Sequence, residues 1–193
     1  MNNKDFWQDV LRSGALLGVV MSLSLVVEQY IMVCSPLSLA MGSFLYFVEW
    51  CSVAVIFVVA LYRLTRRRAK ESDPQLGYGY AQALSYMLLV SALTGVVVGV
   101  VHMLFISIIG YDGYVEGMLH RIDEMRSMML MSGGGSSYNA LFEQMVSGLR
   151  SAEQPTIIDY VISSANNYIL CGGVVGLIIA GFVRRDPTMR REE

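Results

Sequence analysis

Residues 63–70, which read RLTRRRAK, decide how the rest of the chain is interpreted, because this basic stretch lies between two long runs of apolar residues. Arginine and lysine are costly to carry across a lipid bilayer, and short loops that are rich in them stay on the cytoplasmic side. We therefore interpret residues 63–70 as a cytoplasmic turn between two membrane-spanning helices. This turn sets the orientation of the helices on either side of it.

The composition of the chain agrees with a membrane protein. Hydrophobic residues make up 54% of the 193 residues and charged residues only 16%, and the mean hydropathy is positive. These values lie outside the usual range of soluble domains. The net charge of -2 gives no indication of a nucleic-acid partner, so the informative feature is where the charges lie.

Four apolar segments are long enough to cross a bilayer, since about twenty helical residues span a hydrocarbon core of about 30 Å. The predicted spans cover about residues 11–33, 42–64, 80–109 and 157–183. The first is too long for the apolar core of a signal peptide and no small-residue cleavage site follows it, so we interpret it as a retained span. The sequence predicts an all-α, four-helix transmembrane bundle that forms a single integral-membrane domain, residues 1–193.

The basic residues also predict the orientation of the bundle. All but three of the 14 Lys and Arg residues lie in the N-terminal segment, in residues 63–70 or in the C-terminal tail. The positive-inside rule assigns these three regions to the cytoplasm. We expect both the N-terminus and the C-terminus to be cytoplasmic.

The outer loop, residues 111–155, contains apolar residues at helical spacing and predicts two amphipathic helices. The first stripe comprises Val115, Met118, Leu119, Ile122, Met125 and Met129, and the second comprises Leu141, Phe142, Met145 and Leu149. The glycine-rich run at residues 132–137 predicts a flexible linker between them. We expect an extracytoplasmic amphipathic helical hairpin between the third and fourth spans, either lying on the membrane or capping the bundle.

Small residues recur every four positions within three of the spans. Such spacing lets helix backbones approach closely in lipid. Ordinary packing within one bundle is favoured over a dedicated homodimer face, because this motif is common in membrane helices. The candidate helix-packing residues are Gly14, Gly18, Ser91, Gly95, Gly99, Gly172, Gly176 and Ala180.

Polar and ionisable residues inside the spans form a second candidate site. Unpaired charges within a membrane cost several kcal/mol by most estimates, so such groups should face the bundle interior, pair with one another or stay neutral. The candidate polar cluster comprises Glu28, Glu49, His102, Asn166 and Asn167. One hypothesis is an outward-facing pocket for a proton, a cation or a small polar ligand. The favoured alternative is that these groups only join helices by hydrogen bonds.

The sequence gives no indication of an enzyme, a cofactor or a metal site. It contains no Walker loop, no His-Glu-x-x-His motif and no Gly-x-Ser-x-Gly motif. Its three cysteines are odd in number, and they lie in or beside the spans, so no disulfide framework is predicted. A copper(I) site is the weaker alternative for His120 and the methionines at 125, 128, 129 and 131, because methionine also fills apolar helix faces.

Four features spread over nearly the whole chain form a recognisable layout. They are Phe6 and Trp7 before a glycine-bearing first span, residues 77–84 (GYGYAQAL), the long acidic outer loop, and residues 172–180 (GGVVGLIIA) before a pair of arginines. Together they resemble the bacterial domain of unknown function 4199 family. The resemblance implies a small multi-pass protein of the bacterial inner membrane, and it implies no activity, cofactor or catalytic residue.

These observations favour a non-enzymatic scaffold or accessory subunit that acts through helix association. The expected partners are the lipid bilayer and either a second copy of the chain or another membrane protein. The alternative is a small transporter or sensor that works through the polar cluster. Convergence of Glu28, Glu49 and His102 on one cavity would favour the alternative, and their separation would weaken it.

Overall fold

The computed structural model describes residues 3–72, 77–131 and 135–186. Over these residues the chain is all-α and contains no β-strand, which confirms the predicted fold class. A π-helical turn, Tyr30–Cys34, extends the first of six helices. The helices are α1 (Asn3–Gln29), α2 (Leu39–Glu71), α3 (Tyr80–Ile109), α4 (Tyr111–Met131), α5 (Gly135–Ser151) and α6 (Ile157–Val183).

Four helices within the described part of the chain are long and apolar enough to cross a membrane: α1 with its π-helical turn, α2, α3 and α6. The helices contain 27 to 33 residues. At about 1.5 Å per residue they exceed the hydrocarbon thickness of about 30 Å. The predicted third and fourth spans agree with α3 and α6 at both ends. Helix α1 begins at Asn3 and α2 at Leu39, which is before the starts of the first and second predicted spans.

The interpretation of residues 63–70 as a turn is wrong. Helix α2 continues through this stretch and ends at Glu71, so the sequence RLTRRRAK forms its last turns. Arginine and lysine are good helix formers, and cations are favourable near the negative end of the helix dipole. The loop that was predicted at Asp73 and Pro74 lies outside the described residues.

Helices α1, α3 and α6 form the close-packed part of the bundle. Helix α3 lies at its centre, where Tyr86, Met87, Val90, Thr94 and Val98 are almost completely buried. Helix α2 lies at the edge, since only 11% of its most apolar window is buried, compared with 39% for α1 and 28% for α3 and for α6. The four candidate spans therefore contribute very unequally to the core.

The ends of several helices meet at one end of the bundle, which we call the basic end. Tyr78 and Arg185 form an isolated antiparallel bridge, in which each backbone N–H donates to the other's carbonyl at 2.8 and 3.0 Å. The Arg185 guanidinium also donates to the Ala69 carbonyl at 3.2 Å. The start of α3, the end of α2 and the end of α6 are thus held together. Arg190 and Arg191 lie outside the described residues.

The predicted amphipathic segment contains two helices, α4 and α5, which contact each other. Ile122 in α4 and Phe142 in α5 are the most buried residues of the two predicted stripes. Helix α5 begins at Gly135, so the second half of the predicted linker is helical, while residues 132–134 lie outside the described residues. The extracytoplasmic position of this segment stays a prediction.

Candidate functional site

The candidate packing residues of α3 lie directly against α6. A Cβ atom added to Gly95 would come within 2.6 Å of the Ala165 Cα atom, and one added to Gly99 within 2.7 Å of the Val161 Cα atom. Both positions therefore bring the two helix backbones into contact, which only glycine allows. On the α6 side, Gly172 and Gly176 face α3, where Ser91 and Leu84 are their nearest neighbours, and Ala180 is fully buried.

The candidate packing residues of α1 lie against α3. Added Cβ atoms would come within 2.8 Å of the Leu93 side chain at Gly14 and within 2.7 Å of the Val97 side chain at Gly18. The Thr94 hydroxyl lies 3.3 Å from the Gly14 carbonyl oxygen and adds a polar contact between the two helices. The small-residue faces of α1, α3 and α6 are thus occupied within one chain, and they are not free to meet a partner.

Two of the candidate polar residues come together where the end of α1 meets α2. The Ser24 hydroxyl donates a hydrogen bond to Glu49 Oε1, and Tyr46 is close enough to Glu28 to interact with its carboxyl group. The two carboxyl groups are close enough to interact electrostatically, and both side chains are half-buried. We call Ser24, Glu28, Tyr46 and Glu49 the glutamate cluster.

Two carboxyl groups that share a site in a low-dielectric environment cannot both carry a full negative charge without compensation. Such a pair favours either a retained proton or a bound cation between the two groups. The Ser24 and Tyr46 hydroxyls are polar groups that accommodate either state.

Helix α4 adds a tyrosine near this cluster. Burial, and secondly the Glu28 carboxylate, raise the pKa of the Tyr114 hydroxyl above its ordinary value. Tyr114 therefore stays protonated at neutral pH and remains a hydrogen-bond donor. Its position brings the segment between the third and fourth spans into electrostatic contact with the end of the first span.

His102 does not join the glutamate cluster. Its ring packs edge to face on Tyr160 of α6, with the ring centres 5.1 Å apart, and its Nε2 atom is buried without a hydrogen-bond partner among the described residues. Asn166 and Asn167 lie in α6 with exposed side chains. The structure therefore brings together two of the five candidate polar residues and leaves three apart.

Arg121 of α4 is the most highly coordinated polar side chain near the outer segment, and the sequence analysis missed it. It is 6% exposed, and its guanidinium group donates to the backbone carbonyls of Ile31, Met32, Ser35 and Leu37 at 2.8 to 3.0 Å. It also forms an ion pair with Glu124 at 2.8 Å. The end of α1 leaves carbonyls without helical partners, and Arg121 satisfies them.

Close backbone packing accompanies this arginine. A Cβ atom on Gly117 would come within 2.5 Å of a Val33 methyl group and 2.7 Å of the Val33 carbonyl oxygen. The sequence contains a signal for the buried position of Arg121. Arg121 lies three residues after Met118 and four before Met125, which places a cation on the apolar face of α4. A charge on an apolar face indicates that a partner lies opposite, and here that partner is the π-helical turn.

Polar side chains also meet at the basic end, which sequence reasoning did not single out. The Tyr86 hydroxyl lies 2.9 Å from Asp9 Oδ2 and 3.1 Å from Ser13 Oγ. Arg68 Nη1 lies 3.8 Å from the same Asp9 oxygen, although Arg68 was expected in a solvated turn. The helical continuation of α2 turns this arginine inward, whereas Arg66 and Arg67 remain exposed.

No group of three or more His, Cys, Asp or Glu side chains within the described ranges has a metal-binding arrangement. Cys34, Cys51 and Cys171 are free thiols. The candidate copper ligands on α4 are dispersed on its surface, where Met128 and Met131 are exposed. The arrangement of potential ligands therefore adds no support for the copper alternative.

Comparison with known proteins gives one match. A family model described as a protein of unknown function (DUF4199) matches residues 12–185. Neither the curated proteins nor the solved structures contain a match to the chain. The family match begins within α1 and ends just past α6, and thus includes most of the first candidate span, the other three candidate spans and the outer segment. The chain therefore belongs to the DUF4199 family, whose function is unknown.

Proposed function

We propose that the protein is a non-enzymatic membrane protein that acts by associating with other membrane proteins, as a scaffold or an accessory subunit. The observation that carries this proposal is the exposed apolar surface of α2. This helix is as apolar as α3, yet it buries the smallest share of its apolar window within the bundle. A helix with so few internal contacts has most of its surface available to lipid or to a partner.

Aromatic side chains distinguish the exposed surface of α2. Phe44, Phe47 and Trp50 are each more than half exposed. Large aromatic residues contribute most to protein interfaces, because they bury much area with little loss of conformational freedom. The small-residue faces of the other spans are already occupied, so α2 offers the largest free surface for association. The partner is either a second copy of the chain or a different membrane protein.

The test is purification in native lipid followed by mass spectrometry of the intact complex, with Phe47→Ala as the variant and Phe182→Ala as the matched control. Phe182 is an exposed phenylalanine on α6. We expect a copurifying protein or a second copy that is lost or reduced in Phe47→Ala and kept in Phe182→Ala. If the natural chain and the Phe182→Ala control are both monomeric and without a protein partner, association through α2 is refuted.

The proposed location is the bacterial inner membrane, with both termini in the cytoplasm. The supporting observation is that the basic residues at the ends of α2 and α6 gather at one end of the bundle, as the positive-inside rule requires of a cytoplasmic face. A reporter fused after Arg67 should be active in the cytoplasm, and one fused near residue 134 should be active in the periplasm. The reverse pattern would invert the orientation.

The glutamate cluster supports a second candidate function, a small transporter or sensor for a proton or a cation. Glu28 and Glu49 belong to two different spans and interact electrostatically, and ionisable residues within membrane spans can mark proton and ion pathways. Proton and cation flux into proteoliposomes should fall to background in a variant that combines Glu28→Gln with Glu49→Gln. The control is Glu71→Gln, which removes an exposed ion pair at the basic end. Equal flux in all three proteins would exclude transport through this cluster.

A further inference from the structure

The middle part of α6 carries two asparagines that do not belong to the glutamate cluster. Asn166 and Asn167 lie about ten positions after the start of the helix at Ile157, which places them about 15 Å along a helix of about 40 Å. Both side chains are exposed, although α6 is one of the helices that are apolar enough to cross a membrane. An amide group that meets lipid has lost its hydrogen bonds to water, which is costly. Exposed amides at this depth indicate that another polar surface covers them.

The other helices leave this side of α6 uncovered. Among the described helices, α6 contacts only α3 and α2. Ala165 and Gly172 lie against α3, and the Tyr168 ring packs edge to face on Phe57 of α2, with the ring centres 5.5 Å apart. Successive helical residues point about 100° apart, so a position two residues later points about 200° away. Asn167, two residues after Ala165, therefore faces away from α3.

Asn167 belongs to a stripe of exposed residues on α6. Leu170, Val174 and Leu177 are more than half exposed, and Ser163 is exposed as well. These positions follow one another at alternating steps of four and three residues. The mean repeat of about 3.5 residues is typical of helices that pack side by side with a left-handed crossing. We call Ser163, Asn167, Leu170, Val174 and Leu177 the amide stripe.

The chemistry of the amide stripe fits a second copy of the same chain. All copies of a membrane protein with one charge pattern insert in the same orientation, so the α6 helices of two packed copies run parallel and carry Asn167 at the same depth. A two-fold axis brings residues near the axis against their own counterparts. The amide group contains both donors and an acceptor, so two Asn167 side chains satisfy each other. A different protein would need a polar group of its own at that depth.

We propose that two copies of the chain form a parallel dimer through the amide stripe of α6, in which Asn167 is hydrogen-bonded to its counterpart. The apolar residues of the stripe pack around this contact. A single asparagine in such a seam also specifies the register and the number of helices. The stripe is separate from the exposed surface of α2 and from the glutamate cluster, so this inference depends on neither of the two proposed functions.

Dimerisation is measured by single-molecule photobleaching of the labelled full chain in liposomes over a range of protein-to-lipid ratios. We expect the natural chain to dimerise and Asn167→Leu to raise the dissociation constant about tenfold, the effect of losing two interhelical hydrogen bonds. Asn167→Gln keeps an amide group at this position and should retain most of the dimer. The Asn167 side chain is exposed in the single chain, so both variants should keep the packing of α6 on α3.

The matched control is Ser107→Leu, which also replaces an exposed polar residue of a candidate span by leucine, but on α3. The Ser107 hydroxyl donates to the Met103 carbonyl of its own helix at 2.9 Å, so it needs no partner in a second copy. This variant should dimerise as the natural chain does, and so should Phe47→Ala on α2. Loss of the dimer in Phe47→Ala but not in Asn167→Leu would support association through α2 and overturn the α6 interface.

Two neighbouring positions on α6 test which side of the helix meets the second copy. Cys171 is an exposed free thiol, and it points about 100° away from Leu170 at nearly the same depth. In a chain with Cys34 and Cys51 replaced by serine, Cys171 should form little disulfide between copies under an oxidant that enters the bilayer. Leu170→Cys, combined with Cys171→Ser in the same background, should form a covalent dimer.

Several results would overturn the proposal. They are a natural chain that stays monomeric in liposomes, an Asn167→Leu variant that dimerises as tightly as the natural chain, and cross-linking through Cys171 that equals cross-linking in Leu170→Cys. If Leu170→Cys cross-links to a different protein in native membranes and not to a second copy, the amide stripe belongs to that partner and the dimer is refuted.

Discussion

Helices α2 and α3 have almost the same length and hydropathy, at 2.3 and 2.4 for their most apolar windows, yet they occupy very different positions in the bundle. Helix α3 is buried between α1 and α6, whereas α2 lies at the edge. The difference follows from the small residues. Helix α3 carries Gly95 and Gly99 at points where the α6 backbone comes close, and the middle of α2 contains no glycine. In lipid, where apolar side chains gain little by leaving the bilayer, small residues rather than hydropathy decide which helices pack.

The largest expected effect comes from closing the gap between α3 and α6. Gly95→Ala places a Cβ atom 2.6 Å from the Ala165 Cα atom, so the two backbones must separate. We expect a loss of about 3 kcal/mol in the free energy of unfolding, at the upper end of overpacking effects. Reversible unfolding in detergent measures this loss.

The matched control is Gly181→Ala on α6, where an added Cβ atom meets nothing within 4 Å. This variant should gain as much as about 1 kcal/mol, because alanine has a higher helix propensity than glycine. If Gly95→Ala were as stable as Gly181→Ala, backbone contact would not distinguish α3 from α2.

The second effect concerns how the edge of the bundle is held. The Arg121 guanidinium joins α4 to the carbonyls of Ser35 and Leu37, just before α2 begins. Arg121→Met leaves these carbonyls without their donor, and we expect a loss of about 2 kcal/mol, the range for hydrogen bonds to a charged group. Amide hydrogen exchange should become faster in residues 111–131.

Arg150→Met, at an exposed arginine of α5, serves as the control and should exchange as the natural chain does. Arg121→Lys should recover only part of the loss, because an ammonium group has three donors where the guanidinium group has five. Unchanged exchange in Arg121→Met would mean that packing, and not this arginine, holds the edge.

The smallest effect concerns the polar contact between α1 and α2. Ser24→Ala removes the hydrogen bond to Glu49, and interhelical hydrogen bonds in membranes contribute on average about 0.6 kcal/mol. The control is Ser52→Ala, since the Ser52 hydroxyl donates to the Val48 carbonyl of its own helix. Chemical denaturation of both variants should show a small loss for Ser24→Ala only. A loss above that of Arg121→Met would make the glutamate cluster the main attachment of α2.

The sequence predicts where the long apolar helices begin and end better than it predicts which of their residues face one another. The predicted bounds of the third and fourth apolar segments coincide with α3 and α6, because the length of an apolar run and the residues that end it are local properties. Rotation of each helix about its axis is not local. The sequence left open whether Glu28 and Glu49 meet His102, and in the structure His102 packs on Tyr160 instead.

Two arginines illustrate the same limit. The density of charge in residues 63–70 suggested a cytoplasmic turn. Four of the five basic residues there are indeed exposed, but Arg68 turns inward on a continuous helix. Arg121 was overlooked because its neighbours form an amphipathic stripe that looks complete without it. In both cases the partner lies far away in the sequence, so only the tertiary structure reveals why the charge is buried.

Whether the bridge between Tyr78 and Arg185 forms depends more on the number of residues in the chain at this point than on which side chains those residues carry. Both hydrogen bonds join backbone atoms, so most replacements of either residue leave them intact. Proline is the exception, because it has no N–H to donate. Adding or deleting one residue between Val183 and Arg185 would shift the register and bring the wrong amide opposite Tyr78. Related chains should therefore tolerate varied residues here while keeping a constant number of them.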